Sequence, residues 1–149
     1  MRAVIQRVSN ARVLIQAKEH SRIGPGMLIL LGVQKGDSAG DAAALAKKVV
    51  ELRIFEDEAG KMNRSVAEVK GEVLAVSQFT LLGDCRRGRR PSFDDAAPPE
   101  EARVLYEKFM DEIRALGVSV SAGVFQAMMD VELTNQGPVT FLLDSGKRF

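Results

Sequence analysis

Only two stretches of this chain repeat their apolar residues at helical spacing, and every other apolar run is short and bounded by turn-forming residues. Ala42, Leu45, Ala46, Val49 and Leu52 recur with helical period after the caps Asp37 and Ser38, which predicts an amphipathic helix over about 39–52. Its other face carries Lys47, Lys48 and Glu51. The second begins at Pro98-Pro99-Glu100-Glu101, where proline and acid suit a first turn, shows Ala102, Leu105, Tyr106, Phe109, Ile113 and Leu116, and stops at Gly117. Strands are predicted over 4–8 and 12–15 around a Ser9-Asn10 turn, and over 27–33 after the turn Ile23-Gly24-Pro25-Gly26. Further strands are predicted over 53–55, 72–79, 118–121, 127–133 and 139–143. Many strands and two helices imply an α+β fold: a mostly antiparallel, barrel-like β-sheet with two main helices packed on one side. At 149 residues the expectation is a single domain, 1–149, burying roughly 68–70% of its unfolded surface.

Composition removes several chemistries. Cys85 is the only cysteine, which excludes an internal disulfide and any multi-cysteine metal site. His20 is the only histidine, so a His-rich metal site is unavailable and a Ser–His or Cys–His pair would have to use that one imidazole. With 21 basic and 20 acidic residues, global charge selects no partner. The longest apolar run, 27–31, is too short to span a bilayer, and the start of the chain lacks a signal-peptide core. The expectation is an intracellular, cytoplasmic protein with no membrane partner. The Pro-rich, charge-mixed stretch 86–99 is a long loop within the domain.

Three segments have the residue types for chemistry. Ser77-Gln78-Phe79-Thr80 ends the predicted strand from Glu72, placing two hydroxyls and an amide at a sheet rim, where sites often lie. The same residues suit an ordinary turn with Gln78 facing water. No His, Lys or carboxylate adjoins them, so a nucleophilic Ser77 or Thr80 needs a base delivered from elsewhere. Asn135-Gln136-Gly137-Pro138-Val139-Thr140 reads either as a hairpin turn or as a segment in which a cis Gly137–Pro138 bond turns adjacent carbonyls toward a ligand's ammonium group. Arg86, Arg87, Arg89 and Arg90 around Gly88 form either a solvated loop or a set of phosphate contacts. His20 reads as a surface-loop residue, and Cys85 has neither a resolving cysteine nor a histidine partner for catalysis.

Together these segments resemble the D-aminoacyl-tRNA deacylases of the D-Tyr-tRNA deacylase type over the full length. The resemblance runs through Met1-Arg2-Ala3-Val4-Ile5-Gln6-Arg7-Val8, Leu52-Arg53-Ile54-Phe55, Gly60-Lys61-Met62-Asn63 and Ser77-Gln78-Phe79-Thr80-Leu81. It continues through Gly88-Arg89-Arg90-Pro91-Ser92-Phe93, Leu105-Tyr106 and Asn135-Gln136-Gly137-Pro138-Val139-Thr140. It implies a homodimer with active sites at the subunit interface, aminoacyl-tRNA as substrate, no cofactor and no metal. Each site would join Ser77, Gln78, Phe79 and Thr80 of one chain to a cis Gly137–Pro138 of the other, whose carbonyls accept the amino group of a D-residue or glycine and exclude an L side chain. Hydrolysis would lean on the 2′-hydroxyl of the terminal adenosine, with Thr80 not the nucleophile. Phe125 would line the adenosine or aminoacyl region. Where the resemblance leads one to expect Gly-x-Phe-Gly-Ala, this chain has Gly123-Val124-Phe125-Gln126-Ala127. Competing readings are a non-catalytic RNA-binding module using the arginine loop, and the editing domain attached to some threonyl-tRNA synthetases, whose synthetase and anticodon domains 149 residues cannot accommodate.

Overall fold

The computed structural model describes residues 1–148. It is an α+β fold in one domain with a mixed, nearly closed sheet. The long strand β1 (Arg2–Ile15) pairs antiparallel with β3 (Gly26–Gly32) along its first half and with β2 (Lys18–Ile23) along its second. Its other edge pairs antiparallel with β8 (Asp130–Asp144) over nearly its whole length. Beyond β3 the sheet turns parallel through β6 (Glu72–Ser77) and β7 (Val120–Ala122). The Ser21 hydroxyl on β2 donates to the Ala122 carbonyl on β7 at 2.8 Å, drawing the two ends of the sheet together. A small antiparallel ladder, β4 (Phe55–Glu56) with β5 (Met62–Arg64), lies apart.

The buried residues of β3 and β6 divide by parity, as a pleated strand demands. Met27, Ile29, Leu31, Val73 and Ala75 face the helices, whereas Leu28, Leu74 and Val76 join Val8, Val13 and Ile23 inside the barrel. With both faces buried, these central strands read as continuous apolar runs. Helix α1 (Ala39–Glu51) starts from a capping box in which the Ser38 hydroxyl accepts from Asp41 N–H and the Asp41 carboxylate accepts from Ser38 N–H. Asp37 is not a cap; it accepts from Gln34 N–H and from the Met1 ammonium. Helix α2 (Pro99–Ala115) has Pro99 and two glutamates in its first turn and seats Phe109 and Ile113 in the core. Among the described residues, no helix is long and apolar enough to cross a membrane.

Three expectations change. The Ser9-Asn10 turn does not exist, because β1 continues through it with register shifts flanking Val8. Residues 18–23, including His20, form a strand and not a loop. The hairpin reading of 135–140 also fails, since both halves of β8 pair with the same strand. Gln6 faces Thr140 while Val8 faces Asn135, so two steps along β1 match five along β8 and three residues are extruded as a bulge.

Candidate active site

Ser77 is the last residue of β6 opposite Leu31, and the next rung is a backbone bond in which Gln78 N–H donates to Leu31 O at 2.8 Å. The chain then tightens into a 3-10 turn, Phe79–Leu82, folded over the end of β3. Gly32 permits this, because a Cβ there would stand 2.5 Å from Leu82 and 3.0 Å from the Gln78 carbonyl. The first N–H groups of the turn, those of Phe79 and Thr80, find no acceptor within it. Phe79 is 57% exposed and packs edge-to-face on Phe93 with ring centroids 5.0 Å apart.

This rim opens on a cleft of about 690 Å³ between the sheet, α2 and the segment before β8. Ser77, Gln78 and Phe79 meet Phe93, Tyr106, Phe125 and Gln126 there, and among the described residues no charged side chain lines it. Thr80 stands outside the lining, exposed, and its hydroxyl accepts from the Gln78 side-chain amide. The Tyr106 hydroxyl donates to Ala75 O at 2.8 Å, and burial pushes this phenol up to about 12. It is a neutral structural donor at neutral pH. Phe125 lies between the Tyr106 ring, 5.9 Å away, and the Arg103 guanidinium, 5.2 Å over its face. Gln126, at the position where glycine is expected, has φ +65°, a left-handed conformation that favours glycine.

Gly137 and Pro138 are not part of this cleft within the chain. They sit in the β8 bulge, joined by a cis peptide bond. Arg7, which sequence reasoning did not single out, holds the bulge in place: it is buried and donates to the carbonyls of Gln136 at 3.0 Å and Ile54 at 2.8 Å. Arg7 shares the parity of Ala3 and Ile5, so alternation already puts it on the buried face, and what the sequence leaves out is which carbonyls receive it.

Beyond Phe93 lies a second depression, of about 480 Å³, lined by Asp84, Arg86, Arg87, Arg90, Ser92 and Asp94. Two backbone bonds between Asp84 and Ser92 close the loop that bears it. Cys85 is exposed on this loop. Among the described residues, no cluster of three His, Cys, Asp or Glu side chains could hold a metal ion.

Fold and cleft together define a small barrel-like α+β protein that presents a largely apolar cavity behind a rim of hydroxyl, amide and backbone N–H groups, with a basic loop alongside. The chain belongs to the D-Tyr-tRNA(Tyr) deacylase family, whose sequence profile matches residues 4–144. It is 60% identical to a D-aminoacyl-tRNA deacylase of Geobacter sulfurreducens over 99% of this chain and 97% of that one. Among solved structures it is similar to a c-Myc DNA unwinding element binding protein, with TM-score 0.91 and 38% identity, covering 97% of this chain and 98% of the other. A structure titled as a probable eukaryotic D-amino acid tRNA deacylase shares the fold at TM-score 0.82 and 17% identity, covering 95% of this chain and 97% of that chain.

Proposed function

We propose that this chain hydrolyses the ester bond of D-aminoacyl-tRNA, releasing the free amino acid and tRNA in the cytoplasm, and that it works as a homodimer. The observation that carries the reading is the uncharged cleft behind the 77–80 rim in a chain of this family. A water attacks the ester carbonyl with help from the neighbouring 2′-hydroxyl of the terminal ribose. The oxyanion that develops accepts from the N–H groups of Phe79 and Thr80. The bond to the ribose 3′-oxygen breaks, leaving a free carboxylate and the tRNA hydroxyl. Thr80 is a poor nucleophile here, because its hydroxyl is engaged by the Gln78 amide and no base is bonded to it.

The cleft has no carboxylate to receive the substrate's α-ammonium group, and Gly137 and Pro138 lie elsewhere in the same chain. A second copy supplies them. With the ammonium held by their carbonyl oxygens and the ester carbonyl held at the rim, an L side chain is driven into the wall, whereas a D side chain is not. Glycine has no side chain to reject, so glycyl-tRNA passes the same screen. Two features favour a dimer: β8 pairs with β1 alone, leaving one edge open, and Leu142 on it is 58% exposed. The basic loop with Arg86, Arg87, Arg89 and Arg90 engages tRNA phosphates, and Phe125 lines the seat of the aminoacyl-adenosine. A deacylation assay with matched D-tyrosyl-, L-tyrosyl- and glycyl-tRNA tests this: the first and third lose their amino acid and the second keeps it. Equal hydrolysis of D and L esters would remove the stereochemical screen, and hydrolysis of neither would remove the activity.

A further inference from the structure

We infer that the basic loop divides its labour: Arg87 and Arg90 grip one internucleotide phosphate of the acceptor strand, while Arg86 is a positioning residue that builds the depression. This rests on tRNA being the substrate, and it departs from treating the four arginines as equivalent. The Asp84 carboxylate takes the Arg86 guanidinium in a two-toothed fork, at 2.8 and 2.7 Å, and also accepts from Arg86 N–H at 3.0 Å. Arg86 holds that carboxyl well below the usual carboxylate range, first through its side chain and then through its backbone N–H. Its charge is therefore already paired beside the Asp84–Ser92 closure. Arg87 and Arg90 line the same depression and, among the described residues, make no ion pair. Gly88 between them has φ +68°, which turns the loop tip.

The ligand's chemistry follows from charge and position. Asp94 also lines the depression and accepts from the Ser92 hydroxyl at 2.7 Å. Three guanidiniums and two carboxylates leave one positive charge in excess, a match for a singly charged phosphodiester. Phe93 lines the cleft with Phe79 while its chain neighbours Ser92 and Asp94 line the depression, so one short segment separates the two. A strand whose 3′ end enters the cleft runs its preceding phosphates along this side.

The test measures KM and kcat for D-tyrosyl-tRNA over a series of salt concentrations, with D-tyrosyl-adenosine, which has no phosphate, as a second substrate. Arg87→Gln/Arg90→Gln is expected to raise KM for the tRNA about tenfold or more and to reduce the salt slope by about one, the value for one phosphate contact, while its loss on the nucleoside ester is far smaller. Arg86→Gln is expected to raise KM without reducing that slope, because its charge is already paired, and Arg86→Lys, which cannot fork, is expected not to restore KM. The proposal is overturned if Arg87→Gln/Arg90→Gln leaves KM and slope at wild-type values, if it impairs both esters equally, or if Arg86→Gln lowers the slope as much as Arg87→Gln alone. Failure of the wild-type protein to hydrolyse either ester would instead remove the deacylase reading.

Discussion

Tyr106 is the only tyrosine, and the chain has no tryptophan, so ultraviolet absorbance follows one phenol. Burial against the cleft raises its pKa to about 12, above the value near 10 of an unfolded chain. A raised folded value gives stability that is complete below about pH 10 and lost as pH rises toward 12. The expected titration shows no phenolate until the upper end of that window or until the protein unfolds; phenolate in a folded protein near pH 10 would contradict the buried donor role. A second prediction concerns Thr80: Thr80→Ala is expected to keep activity within about tenfold, since loss of a true nucleophile costs orders of magnitude. A trapped acyl-enzyme on Thr80 would refute it. The place of Ser77 to Thr80 at a sheet rim was legible because the apolar run from Glu72 stops there. The partners of Arg7 and the left-handed conformation of Gln126 were not, because Arg7 comes to rest against Ile54, just before β4, and against β8, and Gln126 takes its conformation from the turn it closes.

At the scale of elements, periodicity located both helices to within a residue or two, because each buries one continuous stripe. It failed at β2, whose Lys-Glu-His-Ser-Arg sequence has no apolar alternation and is joined to β1 by Gln16 and Ala17, both with positive φ and neither a glycine. It failed again at β8, where Gly-Pro in mid-strand signals a turn although the chain is only extruded locally. That bulge is tightly built: at Gly137, φ +132°, a Cβ would lie 2.7 Å from the Val139 side chain and 3.1 Å from Arg7. Gly137→Ala is therefore expected to destabilise the protein by more than about 1 kcal/mol, read as a lower midpoint of thermal unfolding. An unchanged midpoint would mean the bulge rearranges freely.

For the whole molecule, the near-neutral total charge concealed a local basic depression, and no single chain joins the 77–80 rim to Gly137 and Pro138. The two halves of the proposed site were legible as segments, and their separation within one subunit was implied by the family resemblance alone; no pattern in the residues shows it, because it depends on which edge of β1 receives β8. Leu142→Arg on the exposed strand is expected to give a monomer by sedimentation, with D-tyrosyl-tRNA hydrolysis lowered at least about tenfold. A wild-type monomer that discriminates fully between D and L esters would exclude a shared site. The pairing of β1 with β8 also sets a timetable for biosynthesis. Strand β1 leaves the ribosome well before the partner for one of its edges, the strand ending at Asp144. At about 5–20 residues per second, the wait from the end of one strand to the end of the other is roughly 6–26 s. Through that interval the nascent chain carries a long strand with an unpaired edge and a row of Ala, Val and Ile side chains, so protection by chaperones matters while it is being made.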